Sequence, residues 1–205
     1  MRDRLAQALA LILGLFVFWT AAAGAFEALE QRALFLGLVT TLGFTLYPLG
    51  AGTAWRPVGL AIDLVLTGFA LAACGYIVWN YETIMGSLPW ATTTDIVLTA
   101  GLLVAVLELG RRTVGLIFPI LVTLGLAYAL LGGSLPGALG HRGFDIEFVT
   151  ETVFLGDLGI WGMLTGVAAT VIAAFVLFGA LLLHSGGGQA FMDLAMRLGG
   201  RQPGG

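Results

Sequence analysis

The sequence predicts an all-α, polytopic integral membrane protein of about six transmembrane helices with both termini in the cytoplasm. Three observations carry this. Apolar residues make up 59% of the 205 residues and charged residues only 10%, against about 45–50% and about 25% in soluble domains. The apolar residues fall into six stretches, 5–25, 31–49, 58–79, 94–109, 113–131 and 160–184, most near or above the roughly 18–20 residues that cross a bilayer core of about 30 Å. The nine basic residues are all arginine. With the N-terminus inside, Arg2, Arg4, Arg56, Arg111, Arg112, Arg197 and Arg201 fall on the inner side, leaving Arg32 and Arg142 outside. That bias obeys the positive-inside rule.

Each stretch has its own punctuation. Arg2 and Arg4, an apolar run and Ala23-Gly24-Ala25 imitate a cleavable signal peptide. The run is long for a signal core of about 7–15 residues, and another span follows at once, so it reads as a retained helix. Phe26–Glu30 is a tight outer turn. Tyr47 and Pro48 mark the inner end of the second span, and Trp55, Arg56 and Pro57 the start of the third. The third leaves through Tyr76, Trp79 and Tyr81, an outer aromatic belt. The fourth, 94–109, is the shortest, and Glu108-Leu109-Gly110-Arg111-Arg112 reads as a short inner link to the fifth. Pro119, near the start of that fifth span, predicts a kink or the end of a first turn. Residues 132–159 form the longest polar segment, a linker between two structural units. After the last span, Ser185-Gly186-Gly187-Gly188 interrupts the helix. Phe191, Leu194, Ala195 and Leu198 then recur at helical spacing opposite Gln189, Asp193 and Arg197. This predicts an amphipathic helix along the inner leaflet.

Candidate functional residues are few. An ionisable side chain within a span is costly, and so defaults to a functional hypothesis. Asp63 in the third span is such an acid: it would bind an ion or proton, or pair with an inner-rim arginine. Arg111 and Arg112 stand at i+3 and i+4 from Glu108, the spacing of an inner-rim ion pair that also touches lipid head groups. Asp145, Glu147, Glu151 and Asp157 lie in the outer segment with a single arginine, Arg142. They are candidates for the rim on which an external partner docks, or they simply keep the loop hydrated.

Several classes fall away. A net charge of −3 gives no ground for a nucleic-acid partner. The lone Cys74 cannot form an intrachain disulfide and reads as a small packed residue. His141 and His184 fall on opposite sides, so they cannot face each other as haem ligands. No serine–histidine or aspartate pair occurs at membrane depth, and phosphate-cradling glycine motifs and cysteine-based metal spacings are absent. Gly162 and Gly166 make a small-xxx-small face, which predicts close helix packing and little else. The sequence shows no enzyme and calls for no cofactor.

From Leu107 onward the residues resemble a known family. LELGRRTVG, then FPILVTLGLAYALLGGSLPGALGHRGFDIE, resembles the inter-unit region of fused permeases of tripartite ATP-independent periplasmic (TRAP) transporters. GIWGMLTGVAATVIAAFVLFGALLLHSGGGQAFMDLAMRLGGR is similar to the start of their large subunit. The similarity covers about half the chain, 107–202, and the first hundred residues match only in span count and aromatic belts. The resemblance implies a four-helix small-subunit-like unit (1–112), a connecting helix (113–131), a periplasmic linker (132–159) and the start of the large transport subunit (160–205). It implies a bacterial inner-membrane permease for organic acids such as carboxylates, with sodium as coupling ion. Its partners would be a periplasmic substrate-binding protein, membrane lipids and the remaining helices of the large subunit. In such permeases the sodium and substrate loops lie in helices beyond those matched here, so no site motif carries over. The expectation is a partial chain that transports nothing alone. The alternative is a small, non-catalytic membrane scaffold or assembly protein.

Overall fold

The computed structural model describes residues 2–52, 54–87, 90–137 and 140–199; Arg201 lies outside them. Among the described residues the chain is helical, with no strand. The elements are α1 (Arg2–Ala23), α2 (Ala28–Leu46), α3 (Arg56–Trp79), α4 (Tyr81–Ser87), α5 (Thr93–Thr113), α6 (Ile117–Leu131), α7 (Ile146–Thr150), α8 (Met163–Val167), α9 (Ala173–His184) and α10 (Gly187–Gly199). A π-helical turn, Ala168–Ile172, joins α8 to α9, so Met163–His184 is one continuous helix. Five helices are long and apolar enough to cross a membrane: α1, α3, α5, the α6 segment Ile117–Ser134 and Met163–His184. The sixth predicted span, α2, has the length but carries Glu30, Gln31, Arg32 and three threonines. It tolerates them because it is enclosed, packing against α1, α3, α5 and α8.

The buried faces explain the packing. In α2 they run Leu29, Ala33, Gly37, Thr40, Phe44. In α3 the series is Gly59, Asp63, Leu66, Ala70, Ala73, Ile77, and in α5 it is Asp95, Thr99, Leu102. Steps of three and four place each series on one helix face. Small residues dominate the contacts and the leucines mostly face outward, as expected where lipid rather than water surrounds the bundle. Gly101 of α5 lies against the Phe69 ring, and Gly59 against the Leu49 carbonyl.

Several expectations need correction. Glu108–Arg112 is not a link: α5 continues through Thr113, and the turn to α6 is made at Val114–Leu116, with Gly115 at φ 109°. That makes α5 a 21-residue helix rather than the shortest span. Pro119 causes no kink, because it sits in the first turn of α6, where its missing N–H is of little consequence. The break after α9 is confined to Ser185 and Gly186, and α10 already begins at Gly187.

The largest correction concerns 132–159. It is not a hydrated linker throughout. Residues 140–144 fold back on the end of α6: Phe144 N–H donates to Ala129 O (3.0 Å) and His141 N–H to Gly132 O (3.1 Å). The chain then forms α7 and a π-helical turn, Glu151–Leu155, against α5. Phe154, Leu155 and Trp161 are buried in the main core beside Ile77 and Leu102.

Candidate functional site

The helices bring charged groups together at two opposite ends of the bundle. At the arginine-rich end, Arg112 reaches from the last turn of α5 towards α2 and α3. Its NH1 lies 2.7 Å from Asp63 Oδ1, with only 7% of either side chain exposed. The Arg112 Nε donates to Glu108 Oε1 (2.8 Å), its NH1 donates to the Tyr47 carbonyl (2.9 Å), and the guanidinium lies 5.0 Å from the centre of the Phe44 ring. The Asp63 pairing is one of charge rather than of an aligned hydrogen bond, since neither Asp63 Oδ1 nor Arg112 NH2 has a hydrogen-bond partner. Asp63 Oδ2 accepts from Leu49 N–H (3.1 Å). Asp63 and Arg112 thus hold both sides of the α2–α3 turn, at Tyr47 and Leu49. Glu108 also takes two hydrogen bonds from Arg111, at 2.8 Å each. Arg111 is 42% exposed, so this outer pair contributes little beside the enclosed one.

The opposite end joins the start of α2 to the last long helix. Gln31, only 2% exposed, donates from Nε2 to the Ala169 carbonyl in the π-helical turn (3.3 Å). A π turn displaces the usual i to i+4 pairing and leaves carbonyls available for such contacts. Arg32 NH1 donates to the Trp161 carbonyl, and its guanidinium lies over Gly166, where any Cβ would collide with it. Gly166 is therefore a small residue demanded by a specific neighbour. Trp161 Nε1 donates to the Phe154 carbonyl (2.6 Å), and Glu151 accepts from Ala91 N–H (3.1 Å). A cavity of about 600 Å³ lies beside this joint, lined by Phe26, Gln31, Arg32, Asp157, Met163 and Thr170. Nearby, Tyr81 donates to Glu27 Oε2 (3.4 Å). Desolvation first, then the charge and hydrogen bond of Glu27 and the charge of Glu30, hold the Tyr81 phenol above its ordinary range.

The four outer acids do not stand alike. Asp145 caps α7 by accepting from Phe148 N–H (3.2 Å). Glu151 is half-buried and committed to Ala91, while Glu147 and Asp157 are exposed. The two histidines are far apart in role. His141 Nδ1 accepts from Gly143 N–H and its Nε2 meets the Tyr128 carbonyl, both at 3.0 Å, whereas His184 Nδ1 meets Ala180 O in its own helix. Among the described residues no group of three or more His, Cys, Asp or Glu could hold a metal ion. The Gln31–Ala169 and Arg32–Trp161 bonds were not foreseen from the sequence. Their one signal was a glutamine and an arginine beside each other in the first turns of a span.

A family model, the Tripartite ATP-independent periplasmic transporter, DctM component, matches residues 102–205, just over half of the chain. The chain belongs to this family. No curated protein and no solved structure matches it. As a member of a transporter family with five helices long and apolar enough to cross a membrane, it is a multi-pass membrane protein and a permease component of a TRAP transporter. The matched region begins inside α5, so Glu108, Arg112, Trp161 and Ala169 lie within it and Asp63, Gln31 and Arg32 lie before it. Both charged joints therefore tie DctM-matching residues to the first hundred.

Proposed function

We propose that the chain is the front portion of a fused TRAP permease of the bacterial inner membrane. Residues 1–112 serve as a small-subunit-like scaffold, 113–131 as the connecting helix, and 160–205 as the start of the large transport subunit. The complete permease takes an organic acid from a periplasmic binding protein and moves it on a sodium gradient. The observation that carries this reading is the family match over α5 to α10, together with the packing of its last long helix onto α1 and α2. Reconstitution of the complete permease in liposomes with its binding protein tests it. Uptake of a radiolabelled carboxylate is expected only with an inward sodium gradient and with the binding protein present. Uptake that persists when sodium is replaced by potassium would refute the coupling.

The outer acids enter this reading as part of a docking rim, since a partner arriving from the periplasm meets that face, and complementary charge mainly sets encounter rate and register. Glu147 and Asp157 are the clean probes, because Asp145 and Glu151 also hold local structure. Reversing both to lysine in the complete permease is expected to slow uptake at limiting binding protein, with partial recovery at high concentration and an altered salt dependence. Unchanged uptake across salt and partner concentration would leave the acids as a solvated surface only.

A further inference from the structure

Helices α1 and α3 both pack on α2 but have no extensive contact with each other. Between them, at the arginine-rich end, lies an open groove of about 830 Å³. Thr41, Phe44 and Thr45 of α2 form its floor, Arg2, Asp3 and Leu5 one wall, and Arg56, Leu60 and Leu64 the other. We propose that this groove is a binding site for one phospholipid, with its phosphodiester at Arg56 and Arg2 and an acyl chain lying along Leu5, Leu60 and Leu64.

The argument is one of depth and charge. Arg2 and Arg56 are the first residues of their helices, so their guanidinium groups lie at head-group level. Leu60 and Leu64 follow at about 6 and 12 Å deeper along α3, where a lipid of the same leaflet places its hydrocarbon. Leu5, Leu60 and Leu64 are all more than half exposed, so none of the described helices covers them. Arg2 spends Nε and NH2 on the Thr45 and Phe44 carbonyls at the end of α2, at 2.8 and 3.1 Å. Arg56 is exposed and makes no hydrogen bond or ion pair among the described residues. A guanidinium with free donors is well matched to a phosphate, and basic pockets between membrane helices take lipid head groups in this way. Asp63 also lines the groove, but its charge is already met by Arg112. The remaining acid, Asp3, is exposed at the mouth, where it can face a head-group ammonium.

The site stands apart from the transport reading, since it needs neither substrate nor sodium. Native mass spectrometry of the full chain, released from detergent with a mixture of phosphatidylethanolamine and phosphatidylglycerol, reads it directly. One retained phospholipid is expected after the looser lipids are stripped. Arg56→Ala is expected to lower its occupancy about tenfold, the effect of losing a charge-assisted hydrogen bond. Leu64→Trp, which fills the groove from an exposed position, should displace the lipid, and Arg142→Ala at the opposite end should leave it in place. A phospholipid carrying a photoreactive group in its acyl chain should label peptides spanning residues 56–67. A wild-type chain that strips bare, Arg56→Ala and Leu64→Trp chains that keep the lipid as well as wild type, labelling confined to other helices, or a second copy of the chain found in place of lipid would each overturn the proposal.

Discussion

Arg112 carries a full charge into a place almost closed to water, and the cost of stranding a charge there sets its mutational behaviour. Breaking a buried ion pair from one side leaves the other charge uncompensated, a loss of about 3–5 kcal/mol. Arg112→Ala is therefore expected to lower the melting temperature in detergent sharply, because Asp63 and the Tyr47 carbonyl lose their partner together. Arg111→Ala, on the exposed side of Glu108, should cost under about 1 kcal/mol. Replacing both buried partners, with Asp63→Leu and Arg112→Met, should recover most of the loss. A scan in which the two arginines behave alike would contradict the burial difference. A second residue-scale test uses glycine. Gly59→Ala drives a methyl group into the Leu49 backbone carbonyl, which cannot move aside, whereas Gly68 and Gly75 face open space. Gly59→Ala should cost about 1–3 kcal/mol, while alanine at the other two positions should be neutral or mildly stabilising. At this scale the sequence was partly legible. Spacing alone pairs Glu108 with its arginines. The choice of Arg112 rather than Arg111 for Asp63 depends on how α5 is rotated against α3, which no local pattern encodes.

At the scale of elements, the segment leading into Trp161 governs how the outer end closes. Trp161 is fully buried, and its ring nitrogen satisfies the Phe154 carbonyl at a distance of seven residues in the chain. Trp161→Ala should cost about 3–5 kcal/mol through the cavity it leaves. Trp161→Phe keeps most of the volume but orphans a buried carbonyl, at about 1–3 kcal/mol. Thermal unfolding of both variants, followed by tryptophan-independent light scattering, ranks them; equal and negligible losses would mean the segment is only loosely seated. Five of the six predicted spans were readable because length and hydropathy alone define them, whereas α2 has the length without the hydropathy. The buried segment leading into Trp161 was not, because glycines and acids around 132–159 resemble a solvated loop, and because the chain leaves the helix between Phe154 and Trp161, so no periodic stripe joins them. The long helices are apolar on both faces, so hydropathy hides which face is inside. The better signal is size, with glycine and alanine at spacings of three and four marking the buried side of α3.

For the whole molecule, the ends of the helices group as the arginine count requires: Arg2 meets the end of α2, and Arg112 meets the start of α3. Which end faces the cytoplasm is a separate matter, and accessibility labelling decides it. Single cysteines at Ala54 and Ile146, both exposed, are to be placed in a Cys74→Ala background, since Cys74 itself is buried. A membrane-impermeant thiol reagent applied to intact cells is expected to label position 146 and to reach position 54 only after permeabilisation. Labelling of position 54 in sealed cells would invert the proposed orientation.

The enclosure of α2 has a consequence for biogenesis. A helix whose polar first turns and threonines are sheltered by neighbours has no such shelter while it emerges from the ribosome. On insertion scales, its charged and amide side chains weigh against partitioning into lipid. α2 should therefore cross the membrane efficiently only when α1 is already there and α3 follows, the three entering as a cooperative group. In a glycosylation-mapping assay, α2 grafted alone into a reporter should insert less completely than α3, and adding α1 and α3 on either side should restore it. Equal insertion of α2 with and without its neighbours would show that its membrane partitioning owes nothing to the bundle that later surrounds it.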